Sequence, residues 1–338
     1  MKIAVDAMGG DYGPAVVVPG AVQAGREFGV EVILVGREPG VSRELARAGG
    51  AADGVSVVHA AEAIGMGEGI LSFRKKKHSS IAVAACLVRD GRADGLVSMG
   101  NTAAVVYISK TILGAMPGVD RPALALLVPS ASGRPTLLID VGANANCQPH
   151  NLFQFAVMGR VFMESVMGVA EPRVGLMSIG EERGKGNDLV REAYGRLQAG
   201  PVNFIGNVES KDIFSGLADV IVSDGFTGNV ALKAAEGVVE NVLRMARHEL
   251  TRNVFARLGF LLLRRHLRKL YKRVDYSEYG GAQLLGVNGV CVIGHGRSNA
   301  TAVRSAVLRA KDFVQRRAQE RLRQAILSCG PSLKGADT

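Results

Sequence analysis

Short runs of β-branched and aliphatic residues alternate along this chain with segments of helical periodicity, and most of the runs stop at a glycine-flanked polar loop. Parallel strands need a crossover between them, usually a helix, so this alternation predicts βαβ units. The expected class is α/β, with a mostly parallel twisted sheet flanked by helices. Strands are predicted at Lys2–Asp6, Glu31–Val35, Val55–His59, Gly95–Ser98, Ala123–Val128, Thr136–Asp140, Arg173–Ser178, Asn203–Ile205, Val220–Ser223 and Val290–Ile293. Helices are predicted at Pro14–Phe28, Ser79–Asp90, Thr102–Leu113, Pro149–Met167, Asp188–Gln198, Asn229–Arg252 and Ser298–Ser328. Pro14 suits a first helical turn, where its missing N–H costs nothing.

The 338 residues would suffice for about two domains at roughly 150 residues each, yet no linker marks a boundary. We therefore read residues 1–328 as a single α/β unit with a central cleft, a two-lobed organisation remaining open, and residues 329–338 as a disordered tail. With 47% apolar and 21% charged residues the chain can bury a core and is not a disordered polymer. Its longest apolar runs fall short of the roughly 18 residues that span a bilayer. The N-terminus lacks the apolar stretch of a secretory signal. Cys86, Cys147, Cys291 and Cys329 are far apart, which excludes zinc-ribbon and thioredoxin-type motifs. A cytoplasmic location is expected.

The net charge of +10 is not evenly spread. From Arg244 to Arg273 there are ten basic residues and one acid, Glu249, so the remainder is nearly neutral. Within that stretch Val254, Phe255, Leu258, Leu261 and Leu262 recur at helical spacing, interleaved with Arg264, Arg265 and Arg268. Residues 244–274 are expected to form a basic amphipathic helical segment that includes Phe260. Such a segment suits an anionic membrane surface, which is the preferred reading. A solvated face packed on the core or on a second copy is the alternative. Nucleic acid is disfavoured, because aromatics are 5% of the chain and tryptophan is absent.

Six loops at predicted strand ends combine glycine with small polar residues: Asp6–Asp11, Ser98–Thr102, Asp140–Asn144, Ile179–Asn187, Ser223–Asn229 and Gly294–Asn299. In parallel α/β sheets, ligands gather beyond the carboxyl ends of the strands, where helix N-termini point free N–H groups. One such loop is weak evidence; six predict one shared polar cleft suited to a compact oxyanion, with Lys185 nearby. Named motifs are missing. No Gly-x-Gly-x-x-Gly follows the first strand, the Gly180–Gly186 run has the wrong spacing for a P-loop, and no Gly-x-Ser-x-Gly elbow occurs. The scattered histidines give no metal-ligand spacing, so no metal and no cofactor are expected. Cys147 reads as a buried structural thiol.

Asp6-Ala7-Met8-Gly9-Gly10-Asp11, Gly100-Asn101-Thr102, Asp140-Val141-Gly142-Ala143-Asn144, Gly180-Glu181-Glu182, Lys185-Gly186, Asp224-Gly225-Phe226-Thr227-Gly228-Asn229-Val230 and Tyr276-Ser277-Glu278-Tyr279-Gly280-Gly281-Ala282 occur in that order. Together they resemble the acyl-acyl-carrier-protein:phosphate acyltransferase family of bacterial phospholipid synthesis, from Met1 to about Arg317. The chain departs from that pattern at Tyr12-Gly13, Ala103, Asn146 and Gln148. The resemblance implies transfer of a fatty acyl group from acyl carrier protein to inorganic phosphate. It also implies a fold similar to phosphotransacetylase and isocitrate dehydrogenase-like proteins, a homodimer and peripheral attachment to the membrane. On that reading Lys185, Gly9, Gly10, Gly100, Asn101 and Thr102 bind phosphate. Asn229, Asn144 and Asn187 are candidate oxyanion donors, and Asp224 orients one of them. Asp6, Asp11, Ser98, Asp140, Glu181, Glu182, Thr227, His295 and Ser298 complete the substrate site. The basic segment would meet membrane or carrier protein. The alternatives are a phosphotransacetylase-like transferase using coenzyme A, a non-catalytic scaffold on the membrane surface and, by fold analogy alone, a nicotinamide dehydrogenase.

Overall fold

A computed structural model describes residues 1–50, 54–252, 260, 263, 265 and 280–329. Eleven strands form one sheet: β1 (Lys2–Asp6), β2 (Glu31–Gly36), β3 (Val55–His59), β4 (Gly95–Ser98), β5 (Ala123–Val128), β6 (Thr136–Ile139), β7 (Arg173–Met177), β8 (Asn203–Val208), β9 (Val220–Val222), β10 (Ala282–Leu285) and β11 (Val290–Ile293). Their spatial order is β3-β2-β1-β4-β11-β10-β5-β6-β9-β7-β8. The helices are α1 (Pro14–Phe28), α2 (Glu38–Arg47), α3 (Ile70–Lys75), α4 (Ser80–Arg89), α5 (Thr102–Leu113), α6 (Pro149–Met167), α7 (Asp188–Gln198), α8 (Gly225–Thr251), α9 (Ala300–Gln315) and α10 (Ala318–Ser328).

The strand directions decide where the loops go. β3, β2, β1, β4 and β11 pair in parallel, and so do β6, β9, β7 and β8. Three antiparallel pairings, β11 with β10, β10 with β5 and β5 with β6, separate the two blocks. An odd number of reversals leaves the blocks running in opposite directions, so their carboxyl ends lie at opposite edges of the sheet.

Residues alternate across the sheet as the two-residue period requires. Ile3 and Val5 face one apolar layer with Phe155, Phe162 and Phe313. Ala4, Leu96 and Leu138 face another with Ile81 and Ile108. Helices thus cover both faces, which is why β1 and β4 read as continuous apolar runs.

Most predicted elements are present within a few residues. α8 starts at Gly225 rather than Asn229, because Asp224 caps it, so Thr227 and Asn229 stand in its first turns. The long helix predicted over 298–328 is divided at Arg317, whose φ of 50° is left-handed. β10, α2 and α3 were not predicted: α3 is short, and β10 follows a glycine pair with four residues only. Val254, Phe255, Leu258, Leu261, Leu262, Arg264 and Arg268 lie outside the described residues, whereas Phe260 and Arg265 are helical positions. Of the tail predicted at 329–338, Cys329 is instead the turn that ends α10, packed against the core, and residues 330–338 lie outside the described residues.

Candidate functional site

The expected single gathering of six loops divides into two groups of three. The loops after β1, β4 and β11 share one edge of the sheet, and those after β6, β7 and β9 share the opposite edge.

Asp6 sits at the centre of the first group, 1% exposed. Ser98 Oγ donates to its Oδ2 at 2.7 Å, the Met8 N–H donates to its Oδ1 at 3.2 Å, and Ser80 adds a third side-chain bond. Burial pushes the Asp6 carboxyl above its ordinary range, against the pull of these donors. Ser98 Oγ also accepts the Gly100 N–H at 3.0 Å, which ties the β1 and β4 loops together. They cross so closely that a Cβ on Gly9 would stand 2.7 Å from Gly100 N and 2.8 Å from Asp6 Oδ2, which leaves room only for glycine. The Asp11 N–H reaches Gly296 O at 2.8 Å and brings in the third loop. Asn101 caps α5 through the Ala104 N–H at 3.1 Å, and Asn299 caps α9 through the Ala302 N–H at 2.9 Å. α5 therefore opens at Thr102 and α9 at Ala300, and free N–H groups at such helix starts are a ready environment for an anion.

The second group is organised by Asp140, which is fully buried. Its Oδ1 accepts N–H bonds from Leu124, Gly142 and Ala143 at 2.9–3.1 Å, and its Oδ2 accepts the Asn144 N–H and Nδ2 at 2.8 Å. Burial again pushes this carboxyl upward while five donors favour its charged form. The other amide hydrogen of Asn144 goes to Pro122 O at 2.7 Å. Asp224 caps α8, taking the Phe226 and Thr227 N–H groups on Oδ1 and the Thr227 hydroxyl on Oδ2. Asn187 caps α7 through the Val190 N–H at 3.0 Å. Asn229 is exposed, with its side chain against Gly142. Lys185 is exposed, its stem folded over Gly180. Glu181 pairs loosely with Lys211 at 3.6 Å, and the Glu182 carbonyl accepts Asn207 Nδ2 at 2.9 Å. Gly228 meets the Asp140 carbonyl oxygen so closely that a side chain there would overlap it. Cys147 Sγ donates to Asn144 O at 3.5 Å, and its pKa is pushed up to about 12 by burial and by Asp140, so it stays a thiol.

Helix α8 joins the groups. It starts within the second, and nine residues past its cap, about 14 Å along the axis, Lys233 Nζ stands 3.3 Å from His295 Nε2 in the first. Two turns later Glu240 accepts Arg297 Nη2 at 3.0 Å. Burial, reinforced by Lys233, holds His295 below the ordinary imidazole range. Lys185 and the Gly9, Gly10 and Gly100–Thr102 loops therefore belong to different groups. Asp6, Ser98, Asp140 and Ser298 are buried. Asp11, Thr227, Glu181 and Glu182 are exposed, and His295 is partly so. Sequence reasoning did not find Ser80, the Met66–Glu68 loop, Lys233 or Glu240, and it gave Arg297 no role beyond its place in the Gly294–Asn299 loop. Ser79-Ser80 before an apolar helical run was a readable helix start; the others have no local signal. Among the described residues no group of three or more His, Cys, Asp or Glu is placed to hold a metal ion.

Comparison with known proteins adds to this geometry. Residues 1–321 match a family model described as "Fatty acid synthesis protein". The chain is 50% identical over 326 residues to the phosphate acyltransferase of Nitratidesulfovibrio vulgaris (strain DP4), covering 96% of this chain and 94% of that protein. It is 47% identical over 315 residues to the phosphate acyltransferase of Aquifex aeolicus (strain VF5), covering 93% of each. Among solved structures it resembles a phosphotransacetylase from Streptococcus pyogenes, with a TM-score of 0.61 at 21% identity over 95% of this chain and 94% of that one. It also resembles the EutD phosphotransacetylase from Staphylococcus aureus, with a TM-score of 0.59 at 18% identity over 96% and 94%. The fold is that of the phosphotransacetylases.

Proposed function

The chain belongs to the family described as fatty acid synthesis protein, and from that premise we propose how its two loop groups work together. The protein is a phosphate acyltransferase. Its donor is the fatty acyl thioester of acyl carrier protein, and its product is the acyl-phosphate used in phospholipid synthesis.

The chemistry needs no nucleophilic side chain. Phosphate attacks the thioester carbonyl, and the thiolate leaves readily because a thiol has a pKa of about 8.5. What the protein must supply is positioning and charge stabilisation, each a large contribution in a preorganised site. Lys185 and the Gly9, Gly10 and Gly100–Thr102 loops are the phosphate donors of this reading. Asn229 and Asn187 are the oxyanion donors of this reading, since Asn144 spends both amide hydrogens on Pro122 and Asp140, whereas Asn187 caps α7 with its oxygen alone. Asp6, Asp140 and Asp224 hold loops and the start of a helix, and act on substrate only through them. The observation that supports the proposal is the Lys233–His295 contact, by which α8 links the two loop groups.

The test is incubation of the protein with palmitoyl carrier protein and labelled phosphate. Acyl-phosphate forms, and Lys185→Ala raises the KM for phosphate at least tenfold. Equal use of palmitoyl-coenzyme A, or thioester loss without phosphate, would sink the donor assignment.

We place the enzyme in the cytoplasm as a homodimer attached peripherally to the membrane through residues 244–274. No described helix is long and apolar enough to cross a membrane. The far half of α8 supports attachment, since Val238, Val242 and Met245 form an exposed apolar stripe that leads into the basic stretch. Pelleting with anionic vesicles and light scattering check the two assignments.

A further inference from the structure

Three exposed apolar side chains stand where the cleft would be expected to be polar. At 100° per residue, Phe226, Val230, Lys233, Gly237 and Glu240 lie within about 40° of one line along α8. Lys233 and Glu240 are fixed on that line by His295 and Arg297, so the line faces the loop after β11. Phe226 and Val230, 65% and 51% exposed, therefore turn toward the gap between the two loop groups. On the far wall the Met66 methyl lies 2.5 Å from where a Cβ on Gly296 would stand, between His295 and Arg297. The loop carrying Met66 is anchored by Asn101 Nδ2, which donates to Met66 O at 2.7 Å and to Glu68 O at 3.2 Å.

An apolar strip bordered at both ends by hydrogen-bond donors and helix N-termini fits a ligand with a polar head and a long hydrocarbon tail. We propose that Phe226, Val230 and Met66 bind the donor's acyl chain beyond its first four carbons and so set which chain lengths the enzyme prefers. This rests on the acyl transfer proposed above and adds to it the contact that selects the chain. Each methylene that leaves water there is worth about fourfold in discrimination.

The experiment compares butyryl and palmitoyl carrier protein as donors, with phosphate saturating and no lipid present. Phe226→Ala and Val230→Ser each lower the palmitoyl-to-butyryl ratio of kcat/KM about tenfold. Met66→Ser lowers it less, and Val230→Phe shifts the optimum toward shorter chains. An unchanged ratio in all four variants overturns the proposal, whether or not overall turnover falls, and so does a ratio that changes only when anionic vesicles are added. Failure of the acyl-transfer reading looks different: the unaltered enzyme then forms acyl-phosphate from neither donor.

Discussion

Asp6 and Asp140 occupy equivalent places in two oppositely directed blocks of one sheet, each just at or beyond a strand's carboxyl end and each buried. Their partners differ in kind. Asp140 is served by five N–H groups, four of them within four residues on its own loop and one from Leu124. Asp6 is served by two serine hydroxyls from β4 and α4 as well as by its own loop. The first arrangement closes a turn and ties it to β5, whereas the second fastens three separate elements together. A carboxylate facing only N–H donors cannot be replaced by an amide without setting N–H against N–H. One facing hydroxyls can, because a hydroxyl turns and either donates or accepts.

That contrast is open to attack by substitution. Asp140→Asn should have the largest effect, a loss of about 3 kcal/mol in urea unfolding, since at least two buried donors lose their acceptor. Asp6→Asn should cost about 1 kcal/mol, and equal losses at the two sites would erase the distinction drawn here. Its pH dependence sharpens the comparison. The folded pKa of Asp6 is raised above its ordinary value of 3.8, so the folded state binds the extra proton between the two. Wild-type stability relative to Asp6→Asn is therefore greatest below pH 3.8 and declines as pH rises through the raised folded value. Urea midpoints for both proteins across pH 3–8 would measure this. The smallest stability effect is expected at the contact between the groups. Lys233→Ala should change unfolding by no more than about 0.5 kcal/mol, as for other exposed pairs, while kcat/KM falls several-fold. Unchanged kcat/KM would mean that the two groups need no link through α8.

Much of the fold was legible because strand and helix periods differ and because glycine marks each strand end. The candidate site was legible in its parts and not in its arrangement. Asn101, Asn187, Asp224 and Asn299 drew attention as polar loop residues, yet each turns a side-chain oxygen into the helix it precedes, as helix caps do. Local patterns show that such residues matter, without saying whether the helix or a ligand receives them. The division into two groups follows from three antiparallel pairings around β10, a strand of four residues that periodicity could not reveal. Lys233 and Glu240 were hidden for a different reason: their partners lie 62 and 57 residues away along the chain.

The position of β11 has a consequence for how the chain is made. The loop group around Asp140 draws on residues between Pro122 and Asn229, so its pieces leave the ribosome close together. The group around Asp6 needs β11, which pairs with β4 from nearly two hundred residues downstream, and α9 packs back on α1 from still farther along. Closing so long a loop is entropically costly and slow. β4 must wait for nearly two hundred further residues before its outer edge is paired.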